Sequence, residues 1–307
     1  MIRPSALVVI TFMATPFGSS LTASGCTIDG SLVPLLKVPE ASGVAFSART
    51  PGVAWTHNDS SKPIVYALSD KGAVLGSVHV TGAEIVDWED IAVAPCPGGS
   101  CLYIADIGDN RASRSSITIY RTPEPAPDAK ATDQVETLHA KYPDRPRDAE
   151  ALIVLPKGDM FVVTKGEDGP SYLYRVPTPF RNGATVTLEW IGHVESTGGV
   201  AKGGAQKQGK RTGRSKRSDR ITGAGASPDG RWVVLRTHGY VSFFAADEFV
   251  RGTARQVLRF DVTPLQEPQG EGIAIANNGA LLLVGEGGGK KKPGTFARAS
   301  CTLPPPP

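Results

Sequence analysis

Asp87 and Glu89, Asp148 and Glu150, and Gln269 and Glu271 form three polar pairs with one residue between the partners. Side chains two apart on a strand point the same way, so each pair aims two oxygen-bearing groups in one direction. Glu40 with Ser42 and Thr222 with Ala224 repeat the spacing. Each pair is followed by an apolar run that ends in polar residues: His57, Asn58 and Asp59; Asp106, Asp109 and Asn110; Lys165 and Glu167; Arg236 and His238; Glu286. So many carboxylates in one place repel unless a cation, a basic side chain or protonation relieves them. Ca²⁺ suits donors of the Asp, Glu and Asn type. His57 and His238 fall in different repeats and no cysteine joins the group, which argues against zinc.

The residue types divide by role. Glu89, Glu150, Glu271, Arg236 and His57 are the catalytic candidates, since two carboxyl groups beside a His or Arg supply an acid and a base. Asn58, Asp59, Lys165, His238 and Asp87 are candidate ligand contacts, and Asp106, Asp109, Asp148 and Glu40 are candidate metal ligands. A plainer reading competes with this one. Asp and Asn at strand ends cap turns, and Asp106 to Asn110 makes a tight turn by itself. No P-loop, nucleophile elbow or zinc-protease helix is present.

The elements that carry these residues repeat. Five segments begin near residues 40, 87, 148, 222 and 269, each with a polar pair, an apolar strand, a turn and a second apolar strand. Alternating third strands follow at 64–68, 117–121 and 172–176, and fourth strands are expected at 74–80, 186–194 and 257–262. Four-stranded units around an axis make an all-β propeller of five blades, with six as the alternative count and a two-sheet sandwich as the alternative fold. The last unit lacks a fourth strand, and residues 32–38 precede the first unit without a partner. Pairing the N- and C-terminal strands closes the ring and removes two sheet edges.

The N-terminus reads as an export signal over 1–25, with Arg3 ahead of an apolar stretch from Ala6 to Phe17. The propeller then spans 26–303, and 304–307 form a disordered tail. Export permits disulfides, and Cys96–Cys101 across a turn and Cys26–Cys301 across the closing strands are expected. A lipid anchor on Cys26 is the alternative, because residues 23–26 resemble a lipobox. Residues 202–220 form a basic, flexible loop for which anionic cell-envelope polymers are the candidate partner. Nucleic acid is disfavoured because no aromatics interleave with the charges. The net charge of +3 and the absence of a long apolar run after the N-terminus fit a secreted, periplasmic or cell-surface monomer without a membrane span.

WTHNDS at 55–60, DWEDIA at 87–92, ADIGDN at 105–110, DAEAL at 148–152 and QGE at 269–271 together carry a resemblance. The chain resembles a family of secreted bacterial β-propellers of uncharacterised activity, distantly similar to phytase-like, gluconolactonase-like and NHL-repeat propellers. The resemblance covers most of the chain after the export signal, implies the fold and assigns no reaction. The functional expectation is an exported propeller that binds a small polar or anionic ligand at an acidic channel mouth. Ca²⁺ is the candidate cation, and no organic cofactor is called for. A metal-assisted hydrolase of phosphoesters, lactones or glycosides is the second reading of the same residues. A protein-interaction platform in the envelope is the third.

Overall fold

Runs such as Met160–Thr164 and Trp232–Thr237 are apolar on both faces, as strands buried between two layers must be. Glycines at positive φ turn the inner hairpins, as Gly158 (φ 91°) and Gly230 (φ 69°) do. The computed structural model describes residues 25–166, 169–194, 200–201, 219–289 and 292–305. The expected export signal through residue 24, Glu167, and residues 202–218 of the basic loop lie outside this set.

Strands β1 (Gly25–Ile28) and β2 (Val33–Leu35) precede the first blade. Blade 1 is β3 (Ala41–Phe46), β4 (Val53–Asn58), β5 (Ile64–Ser69) and β6 (Val74–His79). Blade 2 is β7 (Trp88–Cys96), β8 (Gly99–Asp106), β9 (Ile117–Pro123) and β10 (Glu136–Lys141). Blade 3 is β11 (Ala149–Val154), β12 (Met160–Thr164), β13 (Ser171–Val176) and β15 (Glu189–Val194), edged by β16 (Val200–Ala201). Between them in sequence, β14 (Thr185–Thr187) reaches back to pair in parallel with β10. Blade 4 is β17 (Ile221–Ala226), β18 (Trp232–Thr237), β19 (Tyr240–Ala245) and β20 (Gln256–Asp261), with a short helix α1 (Ala246–Val250) after β19. Blade 5 is β21 (Gln269–Ile275), β22 (Ala280–Glu286) and β23 (Gly294–Thr302), completed from the N-terminus.

The result is a five-bladed propeller. The inner strands β3, β7, β11, β17 and β21 contact one another in turn around the axis. Five apolar clusters fill the five spaces between neighbouring blades. Alternate residues of one strand serve different spaces: Phe161 and Val163 face blade 4, while Met160 and Val162 face blade 2.

Ring closure differs from the expectation in detail. Residues 32–38 do not supply the outer strand alone. β1 pairs with the far end of β23 and β2 with its near end, so the closing strand comes in two pieces. Cys26 lies opposite Cys301 and is bonded to it, and Cys96 is bonded to Cys101. The first bond consumes the thiol that a lipid anchor on Cys26 requires. Among the described residues, no helix is long and apolar enough to cross a membrane.

Candidate functional site

One irregularity recurs at the start of every inner strand. The pairing register slips between Ala41 and Val44, Trp88 and Asp90, Ala149 and Ala151, Ile221 and Gly223, and Gly270 and Ile273. The slipped residues include Ser42, Glu89, Glu150, Thr222 and Glu271. A bulge re-aims a side chain, so five equivalent positions around the axis turn out of the regular ladder together. All five are buried. Ser42 donates to the Glu89 carbonyl of the next blade at 2.7 Å, and Thr222 donates to the Glu271 carbonyl at 3.1 Å. The hydroxyls therefore bind blade to blade, and the three glutamates remain for other work.

Two of those glutamates meet. Carboxylate oxygens of Glu89, Asp148 and Glu150 all lie within 4.8 Å of one another. Lys165, at the end of β12, pairs with Glu150 and sits 3.5 Å from Asp148. Asp148 is held from the other side by the Asp109 backbone N–H at 2.7 Å. Asp87 lies alongside, with Asn110 donating to it at 3.3 Å. The loop that follows β8 crosses directly above. A Cβ on Gly108 would lie 2.4 Å from Glu89 and 2.5 Å from Asp87, so only glycine lets the backbone approach the carboxylates this closely.

A second group lies toward blade 5. The backbone of Glu40 bridges to Glu286, Ser60 donates to Glu40 at 2.7 Å, and Asp59 shares the same pocket of charge. Burial first, then Glu40 and Glu286, push the Asp59 carboxyl up to about 7. Glu271 links the two groups. Burial, Glu150 and Glu286 hold its proton well above the usual carboxylate range. Burial likewise raises Glu89 strongly, with Glu150 and Asp87 adding to it. Glu150 rises to about 7 through burial, although Lys165 opposes this. Lys165 is held as an ammonium against its own burial by Glu150 and Asp148.

Two ionised carboxylates at this separation repel by roughly 3 kcal/mol at an effective dielectric near 20. Three such pairs amount to about 10 kcal/mol, which the Lys165 ammonium, in contact with Glu150 and 3.5 Å from Asp148, offsets in large part. The donor set fits a hard cation, because oxygens bound to Ca²⁺ at about 2.4 Å lie up to roughly 5 Å apart.

The other expected site residues are placed elsewhere. Arg236 is fully buried, donates to the Gly272 and Val284 carbonyls at 2.7 and 2.8 Å, and pairs with Glu267. His57 is fully buried, meets Trp88 edge to face at 5.7 Å, lies 3.0 Å through Nδ1 from the Asn58 carbonyl, and has its pKa lowered to about 4 by burial. Asn58 orients Glu40 by accepting its backbone N–H at 3.0 Å. His238 lies in the turn between β18 and β19. Asp106 accepts from the Val86 and Asp87 backbone and pairs with Arg114 at 2.7 Å. Asp109 accepts from the Arg114 backbone at 2.7 Å, so both aspartates order the loop over the cluster rather than joining it.

Glu267, Arg114, Gly108 and Asp90 went unseen in the sequence. Glu267 and Arg114 sit in connecting segments without equivalents in other repeats. Asp90 follows Glu89 in the motif, yet its own side chain is turned inward. It accepts from the backbone of Ile91 at 2.9 Å, Leu152 at 2.9 Å and Ala224 at 3.3 Å, joining the inner strands of blades 2, 3 and 4.

No family model and no curated protein matches the chain. Among solved structures, the PQQ-bound aldose sugar dehydrogenase of Streptomyces coelicolor is similar at a TM-score of 0.53 and 13% identity, covering 91% of this chain and 99% of that one. A gluconolactonase of Xanthomonas campestris is similar at a TM-score of 0.47 and 15% identity, covering 87% and 89%. At these identities the first likeness shows the propeller fold alone.

Proposed function

We propose that the protein is an exported propeller that binds a small polar or charged ligand together with a divalent cation at the acidic mouth. The observation that carries this is the meeting of Glu89, Asp148 and Glu150 under the Gly108 backbone. These three residues would hold the cation, with Asp87 beside them. The ion would relieve carboxylate repulsion and offer open coordination positions to oxygen atoms of a ligand. Lys165 keeps Glu150 and Asp148 oriented. Two disulfides support export, since such bonds persist in oxidising compartments.

Hydrolysis is the second reading. It is supported by Glu150, a buried carboxyl poised near neutrality beside a permanent ammonium, as a general acid–base group requires. Calcium should raise the melting temperature of the wild type and leave Glu150→Gln unmoved. Turnover of phosphoester, lactone or glycoside substrates that Glu150→Gln abolishes would make the protein an enzyme. A calcium-insensitive melting temperature in the wild type would remove the cation from the reading.

A further inference from the structure

Residues 107–116 join β8 to β9 and run as a strap across the carboxylate cluster. Arg114, near the far end of the strap, fastens it. Its Nη1 donates to Asp106 Oδ1 at 2.7 Å and to the Gly108 carbonyl at 2.8 Å. Its backbone N–H donates to Asp109 Oδ2 at 2.7 Å. The strap in turn grips the cluster. The Gly108 N–H donates to the Asp87 carbonyl at 3.1 Å, and the Asp109 N–H donates to Asp148 Oδ1 at 2.7 Å. Arg114 thus reaches the candidate cation ligands through the strap and not by bonding to them.

Gly108 measures how closely the strap lies. The place a Cβ would take there is 2.4 Å from Glu89 and 2.5 Å from Asp87. A gap too narrow for a methyl group admits no water, so the strap strips solvent from this side of the carboxylates. Glu89 is 7% exposed and Glu150 3%. Each carboxylate is also tethered: Asp148 by the Asp109 N–H, Glu150 by Lys165, and Glu89 by the Ser42 hydroxyl at 3.4 Å. An ion entering this cage must shed water and take the oxygens where they stand. Ca²⁺ tolerates irregular coordination, whereas Mg²⁺ demands a near-ideal octahedron and gives up its waters reluctantly.

We propose that Arg114, by latching residues 107–116 over the carboxylates, makes the mouth select Ca²⁺ over Mg²⁺. Arg114 is a positioning residue, and its role rests on the mouth binding a cation as proposed above. The test titrates calcium chloride and magnesium chloride separately into the disulfide-bonded full chain, as wild type, Arg114→Ala and Gly108→Ala. Gly108→Ala lifts the strap by crowding Glu89 and Asp87 with Arg114 in place, so it decides the matter where Arg114→Ala fails to fold. The wild type should bind Ca²⁺ more tightly than Mg²⁺. Both variants should bind Ca²⁺ about tenfold or more weakly, the worth of one charge-assisted hydrogen bond, while Mg²⁺ binding holds or tightens. The narrowed ratio is the deciding readout, because a general loosening of the fold weakens both ions alike. Equal weakening of the two ions, or unchanged binding of both in the two variants, overturns the latch. Wild-type binding of Ca²⁺ no tighter than of Mg²⁺ also overturns it and leaves the mouth intact. Binding of neither ion by the wild type overturns the mouth and the latch together.

Discussion

Glu150 and His57 are both buried and titrate in opposite senses, which gives the protein a two-sided pH response. Glu150 keeps its proton to about pH 7 when folded and gives it up near its ordinary value of 4.5 when unfolded. The folded state therefore loses stability as pH rises from about 4.5 to 7, and Asp59 adds to the loss over a similar window. His57 stays neutral down to about pH 4 when folded, but takes a proton near 6.5 when unfolded. Its contribution, about 3 kcal/mol, is present above 6.5 and is lost as pH falls through 4. Denaturant unfolding across pH 3.5–8 should show Glu150→Gln flattening the upper limb and His57→Phe flattening the lower one. Identical pH profiles for wild type and Glu150→Gln would contradict the burial of an ionisable Glu150. Metal uptake should also tighten from pH 5 to 8, because the cation competes with that proton.

At the scale of elements, the inner strands are joined by one carboxylate. Asp90 ties β7 to β11 and β17, and no other described side chain accepts backbone bonds from three blades. Asp90→Ala leaves buried N–H groups unpaired and should cost about 3 kcal/mol or more in denaturant unfolding, whereas Asp128→Ala at the surface should cost under about 0.5 kcal/mol. Equal costs would show that the strands hold without it. The repeat was legible because its signal is periodic: polar pair, apolar run, turn, apolar run. The bulges were not legible, since a register slip leaves no mark in residue type. Asp87 and Glu89 do point together, both lying under Gly108, and the bulges bring Glu89 to Asp148 and Glu150 of the next blade as well. Arg236 and His57 end their strands as a site residue would, yet both are swallowed by neighbouring blades, a fact that depends on tertiary packing. Residues 136–141 of β10 alternate, with Leu138 and Ala140 buried between Thr137, His139 and Lys141, but they hold few β-branched or aromatic residues to mark a strand.

The whole molecule depends on closure, and two disulfides of very different span test how. Cys26–Cys301 encloses 275 residues of sequence separation, against 5 for Cys96–Cys101. Loop-closure entropy assigns roughly 5 kcal/mol to the first and about 2 kcal/mol to the second. Replacing Cys26 and Cys301 by Ser should lower the melting temperature more than replacing Cys96 and Cys101. Equal losses would mean that β1 and β2 hold blade 5 without the bond. A closed ring also fixes the five inner-strand starts relative to one another, which is what keeps carboxylates of different blades within reach of one ion. Titration calorimetry of calcium chloride into the disulfide-bonded protein at pH 7.5 tests that claim most directly. One saturable site in the wild type, with proton release, and none in Glu150→Gln is the predicted result. Saturable binding that survives Glu150→Gln, or no binding in the wild type, would contradict it.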